Sequence, residues 1–232
     1  MSTYNKKIIV FSTNDNIISI PLVHYIVSQK KYRKFKFDIF FVESKLIRKI
    51  KVLIAIILFG SIIELIKRIF SGKTKKDLIK FKNVKVIEKF EGKKYNYGLS
   101  VYYTKRLKIQ KYKIYNFHLG SLHNQRGSFI FFYKFIYRWK SIDLTFHEIQ
   151  KEFDVGYIIN KKTIKDLNKM NAFEIMVLYL NNLNFLDKSI DKIEKRTSKI
   201  KLKKIKKLYK VPAIKEIFST YLKQLFNFKK IN

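Results

Sequence analysis

The sequence predicts an α/β domain built on a mostly parallel sheet with helices on both faces, continued by a basic helical extension. Three observations carry this expectation. Short apolar runs at 7–13, 37–42, 84–87, 99–103 and 113–117 alternate with longer stretches of helical periodicity. Such runs, lying side by side, suit the buried centre of a parallel sheet. From Asp187 onward the chain is lysine-dense, with Ile193, Ile200, Ile205 and Leu208 loosely at helical spacing.

Taken in order, 7–13 is the first strand. Ser12, Thr13, Asn14 and Asp15 supply turn and N-cap chemistry for a helix over 17–27, with Pro21 near the first turn, where a missing N–H costs little. The runs 37–42 and 84–87 are the second and third strands, 99–103 and 113–117 the fourth and fifth. A helix is expected at 129–139 and a strand at 142–149. Asn171, with Glu174 three residues on, forms a capping box for a helix reaching Leu183. After Pro212 a last amphipathic helix carries Ile214, Ile217, Phe218, Tyr221, Leu222 and Leu225 on one face, able to bury against this chain or in a homodimer.

The run 52–63 carries no charge. Lys45, Arg48, Lys49 and Lys51 precede it, and Glu64, Lys67 and Arg68 follow. As a helix it covers about 18 Å, short of the roughly 30 Å hydrocarbon core of a bilayer, so it does not span. It reads either as a buried or interface helix or as an amphipathic hairpin in peripheral contact with an anionic membrane, with Ile56 and Phe59 then among the lipid-facing residues.

At 232 residues the chain holds one domain with an appendage, and 47% apolar residues exclude a disordered polymer. The 51 Lys and Arg against 17 Asp and Glu give a formal charge of +34, a field that attracts phosphates, nucleic acid or anionic lipid without specificity. The lysines are spread along the chain, as solvated surface residues are, so no RNA-binding module is inferred. Without cysteine there is no disulfide framework or thiolate, and four histidines leave little for a metal site. The polar start leads straight into Ile8-Ile9-Val10-Phe11, unlike a signal peptide, so a cytoplasmic protein is expected.

The residues that suggest chemistry come late. Asn116 and His118, two apart on a strand, project from one face at its carboxyl end, where open α/β sheets bind ligands. Arg126-Gly127, Thr145-Phe146-His147 and Asp154-Val155-Gly156 follow. Each piece alone has a plain structural reading as a strand end, a packed histidine or a turn. Their order is the informative part.

Together, Asn116-Phe117-His118-Leu119-Gly120, Arg126-Gly127, Thr145-Phe146-His147 and Asp154-Val155-Gly156-Tyr157-Ile158 resemble the formyltransferases that use 10-formyltetrahydrofolate. That family includes methionyl-tRNA, glycinamide ribonucleotide and sugar N-formyltransferases. The resemblance covers roughly residues 6–160 and implies a formyltransferase-like Rossmann-type catalytic domain at 1–160, a helical insertion at 45–72 and a lysine-rich helical extension at 161–232. It implies Asn116, His118 and Asp154 as catalytic residues. Val101, Tyr103, Ile149, Glu152 and Phe153 would border the pterin pocket, largely through backbone groups, and Arg126 and Gly127 would lie toward the substrate. 10-Formyltetrahydrofolate is the implied co-substrate. The chemistry agrees: formyl transfer to an amine passes through an oxyanion-bearing tetrahedral intermediate, and needs an amide donor and an imidazole to handle the amine proton. Asp154 would orient that imidazole and favour its charged form.

Many tRNA-acting relatives have serine where this chain has Gly120, whereas glycine resembles several sugar-acting members. His123 stands where many relatives have proline, and His147 reads as packing or ligand contact equally. The expected substrate is the amine of a nucleotide-linked amino sugar. The alternatives are methionyl-tRNA and a degenerate formyltransferase fold serving as a membrane-associated scaffold.

Overall fold

The structure, a computed structural model, describes residues 5–71, 73–90, 94–105, 107, 110–150, 156–195, 200 and 208–228. Strand β1 (Lys6–Thr13) leads through the Asp15 turn into helix α1 (Ser19–Ser28), then β2 (Phe35–Val42). Helices α2 (Leu46–Phe59), α3 (Ile62–Ser71) and α4 (Lys75–Leu78) precede β3 (Val84–Ile87), β4 (Tyr97–Val101) and β5 (Ile114–Leu119). The short strand β6 (Arg126–Gly127), α5 (Ile130–Tyr137), β7 (Ile142–Glu148) and β8 (Ile158–Ile164) follow. Helices α6 (Ala172–Met176) and α7 (Leu183–Glu194), strand β9 (Leu208–Tyr209) and α8 (Ile214–Phe228) complete the chain.

Seven strands form one sheet in the order β3-β2-β1-β4-β5-β7-β8. From β3 to β5 every pairing is parallel, and β7 then runs antiparallel to β5, with β8 antiparallel to β7. The mostly parallel sheet is therefore as the sequence predicts. Because strand residues alternate between faces, β1 sends Ile8 and Val10 into a large cluster with buried residues from the helices, and Ile9 and Phe11 into a smaller one. The smaller cluster contains no helical residue among those described; strand and loop side chains such as Phe40, Phe90, Tyr95, Tyr103 and Tyr112 cover that side.

The Asn171 capping box forms as expected, the Asn171 side chain accepting from the Glu174 N–H at 2.9 Å and the Glu174 carboxylate from the Asn171 N–H at 2.7 Å. Its helix ends at Met176 instead of reaching Leu183, and the chain passes through a 3-10 turn at Leu180–Asn182 before α7. This break places Tyr179 in the core. Its ring meets Tyr102, Phe117 and Phe185, and its hydroxyl lies 2.8 Å from the His118 carbonyl and 2.9 Å from that of Thr145. One side chain thus clamps β5 to β7. Strand β8, whose sequence Ile-Ile-Asn-Lys-Lys-Thr-Ile hides it, was not expected; it spans residue 160 and receives α7.

Replacing Tyr179 by phenylalanine keeps the ring but removes the shared donor, and should cost about 1 kcal/mol or slightly more, read from the urea midpoint. Tyr179→Ala should cost about 3–5 kcal/mol through the cavity it leaves.

Candidate active site

The register of β5 with its neighbours sets out the site. Ser100 pairs with Asn116, Asn116 with His147, and His118 with Thr145, so these polar side chains lie on one face of the sheet. Ile114 shares that face, and it belongs to the cluster without helical residues. The other face of β5 offers Tyr115 and Phe117, which stack on Phe146 with ring centroids 5.7 and 4.4 Å away. Polar residues are therefore kept on the face of β5 turned away from the aromatic layer.

Asn116 and His118 are brought together as expected. The Asn116 amide nitrogen lies 3.2 Å from His147 Nε2, and His147 Nδ1 lies 3.3 Å from the Glu148 carbonyl. A neutral His147 that donates from Nδ1 accepts the Asn116 N–H at Nε2, which fixes the amide's orientation. His147 is fully buried and holds the Asn116 amide, a contact that the sequence left open between packing and ligand binding. Only the antiparallel register could have revealed it.

His118 is also buried, and its Nε2–H donates to the Gln125 carbonyl at 2.7 Å. Gly120 makes that contact possible. It has φ +132°, and a Cβ there would stand 2.2 Å from the Gln125 carbonyl oxygen and 3.0 Å from His118 Nε2. Gly127, at φ +102°, plays a similar part, since a Cβ would lie 2.1 Å from the Tyr209 carbonyl of the adjoining β9. Asp154, Glu152 and Phe153 lie outside the described residues.

A cavity of about 860 Å³ opens at the carboxyl ends of β1, β4 and β5, the position where open α/β sheets take ligands. Asn116 and His118 line it, with Tyr103, Ile149 and Gly127. Arg126 is buried and not among the described lining residues; nor is Val101, whose side chain joins the large core and whose carbonyl accepts the Ser12 hydroxyl at 2.9 Å. Tyr102, also on the wall, holds φ +51° and donates its hydroxyl to the Met176 carbonyl, with burial pushing its pKa up.

Two further wall residues are Asp15, which the sequence reading gave as cap chemistry for the first helix, and Arg48. Asp15 Oδ1 accepts from the N–H groups of Ile17, Ile18 and Ser19 at 3.2, 2.8 and 3.2 Å, so the amino end of α1 already holds its anion. Arg48, read earlier only as a basic flank, places its guanidinium over Phe129, 5.6 Å from the ring centroid, with Nη1 3.4 Å from Ser128 Oγ. Burial lowers its pKa; a guanidinium keeps its proton in proteins, so Arg48 is a cation facing the cavity. Among the described residues there is no cluster able to hold a metal ion.

No family model matches the sequence, and no curated protein matches it. Solved structures do match. A 4-N formyltransferase from Francisella tularensis superposes with TM-score 0.58 at 20% identity, over 89% of this chain and 77% of that one. A sugar 3N-formyl transferase gives 0.59 at 16%, over 88% and 69%, and an N-formyltransferase from Helicobacter canadensis 0.57 at 19%, over 88% and 70%. The chain has the fold of these N-formyltransferases.

Proposed function

We propose that this chain is a folate-dependent N-formyltransferase that moves the formyl group of 10-formyltetrahydrofolate to the amine of a nucleotide-linked amino sugar. The observation that carries the reading is the pair Asn116 and His118, adjacent on one sheet face and opening into the cavity. The co-substrates follow the neighbours: one was crystallised with folinic acid and dTDP-3-aminofucose, another with dTDP and 5-N-formyl-THF. In this reading the transfer site belongs to residues 1–160, residues 161–232 frame it, and the reaction is cytoplasmic.

The acceptor amine attacks the formyl carbon, and the negative charge that develops on the formyl oxygen is stabilised by the Asn116 amide. Held by His147, that amide needs no reorientation as the charge forms. His118, its Nε2–H held by the Gln125 carbonyl, takes at Nδ1 the proton the amine sheds and returns it to the folate nitrogen as the intermediate collapses and the bond from that nitrogen to the formyl carbon breaks. Asp154 is assigned to favour the charged form of this imidazole once the proton has been taken. Arg48 faces the cavity as a counter-charge for a diphosphate, a task the amino end of α1 cannot share once Asp15 has filled it. The Gly120 turn supports the amino-sugar branch, because serine at φ +132° would drive its Cβ into the Gln125 carbonyl. Methionyl-tRNA remains the second reading, favoured by the +34 charge, and a homodimer through α8 is compatible with either.

Incubation with 10-formyltetrahydrofolate and either dTDP-amino sugars or charged initiator tRNA, with products read by mass spectrometry, should give formylated sugar; product from tRNA alone overturns the preference. His118→Asn should lower kcat by about 100-fold or more while leaving the thermal midpoint nearly unchanged, and Asp154→Ala should behave alike. Arg48→Met should raise KM for the nucleotide sugar about tenfold or more, in line with loss of a charged hydrogen bond, with kcat little altered. An unchanged KM removes Arg48 from acceptor binding.

A further inference from the structure

The α2–α3 hairpin shows an apolar surface that the transfer reaction does not use. On α3, Ile62, Ile63, Ile66, Ile69 and Phe70 fall on one arc of the helix and all face solvent, Phe70 with 86% of its surface exposed and Ile63 with 63%. Only Leu65, at the margin of the arc, is buried. Along α2 a second exposed stripe runs through Leu46, Ile50, Leu53 and Ile57, at spacings of three and four. The opposite side of α2 is buried. Ala55, Ile56 and Phe59 join the core, Phe59 against Phe132, Phe135 and Tyr221, so Ile56 and Phe59 are not the residues that meet a partner. An isolated exposed isoleucine needs no explanation, but two adjoining helices with apolar faces outward mark an interaction surface.

Charge decides between occupants. Between residues 45 and 76 nine Lys and Arg stand against a single acid, Glu64. Lys45 and Lys49 begin the hairpin, and Lys73, Lys75 and Lys76 follow it, all exposed. A second copy of this chain would bring the same cations against these, within a protein already carrying +34. A surface that is anionic at its rim and apolar just beneath complements both features. No helix among the described residues is long and apolar enough to cross a membrane.

We propose that the α2–α3 hairpin docks this protein peripherally on an anionic lipid bilayer, Ile63, Ile66 and Phe70 entering the acyl boundary while the flanking lysines meet phosphate headgroups. Leu53 and Ile69 belong both to this surface and to the cavity wall, so docking brings the mouth of the cavity to the interface. The proposal does not rest on the formyl-transfer reading.

The test is sedimentation of the full-length protein with vesicles of equimolar phosphatidylglycerol and phosphatidylcholine, or of phosphatidylcholine alone, at low and high salt. Binding is expected to the anionic vesicles, weaker at high salt. Ile63→Asp with Phe70→Asp should reduce it about tenfold or more, with circular dichroism unchanged, since both side chains are largely exposed. Lys165→Gln with Lys188→Gln, which lowers net charge by the same amount on β8-side surfaces, should bind nearly as the parent does. Phe70→Trp should shift its emission to the blue with anionic vesicles. Absence of binding by the parent protein, equal loss in the charge-matched control, or no blue shift overturns the proposal. So does a dimer in sedimentation velocity that the double aspartate variant splits, which would assign the surface to a second copy.

Discussion

Strand β5 pairs in parallel with β4 on one side and antiparallel with β7 on the other, and the site depends on that reversal. Side chains alternate across a strand, so a one-residue slip between β5 and β7 would separate Asn116 from His147 and pull Phe117 away from Phe146. The packing of the aromatic layer and the geometry of the polar row are therefore one constraint. Tyr179 strengthens it from the core side by reaching carbonyls on both strands. What holds the fold together here also holds an amide and an imidazole in place.

In the proposed reaction, anion recognition would be divided in an unusual way. In many α/β proteins the first helix offers its amino end to a phosphate, but here a carboxylate of the protein occupies it. In the proposed reading the work passes to side chains on the cavity wall, above all a guanidinium resting on an aromatic ring. The positive field of the whole surface attracts anions of any kind, so discrimination falls to the few cations held in fixed positions.

The strands at the centre of the sheet were legible because each is a short apolar run between turn residues. Strand β8 was not, since lysines at 161 and 162 face solvent on an edge and break the apolar pattern. The pairing of β6 with β9 is two residues long on each side and depends on a carbonyl passing close to Gly127, a contact invisible to local pattern. That Asn116 and His118 share a strand face could be read from their spacing, because a period of two is a local property, but it was the ordered likeness to the formyltransferase pattern that singled them out. The parts of His147, Gln125 and Arg48 could not, because they rest on register and on segments distant in sequence. The capping box at Asn171 was readable, yet where its helix stopped was decided by the place in the core that Tyr179 fills.

Tyr209, set against Gly127 and lining the cavity together with Leu208, Lys210 and Val211, carries a consequence for biosynthesis. Every strand of the large sheet has emerged from the ribosome once Ile164 has, so a nascent chain can assemble its platform while one side of the vessel is still missing. In the proposed reading, ligand affinity then arrives later than the sheet itself.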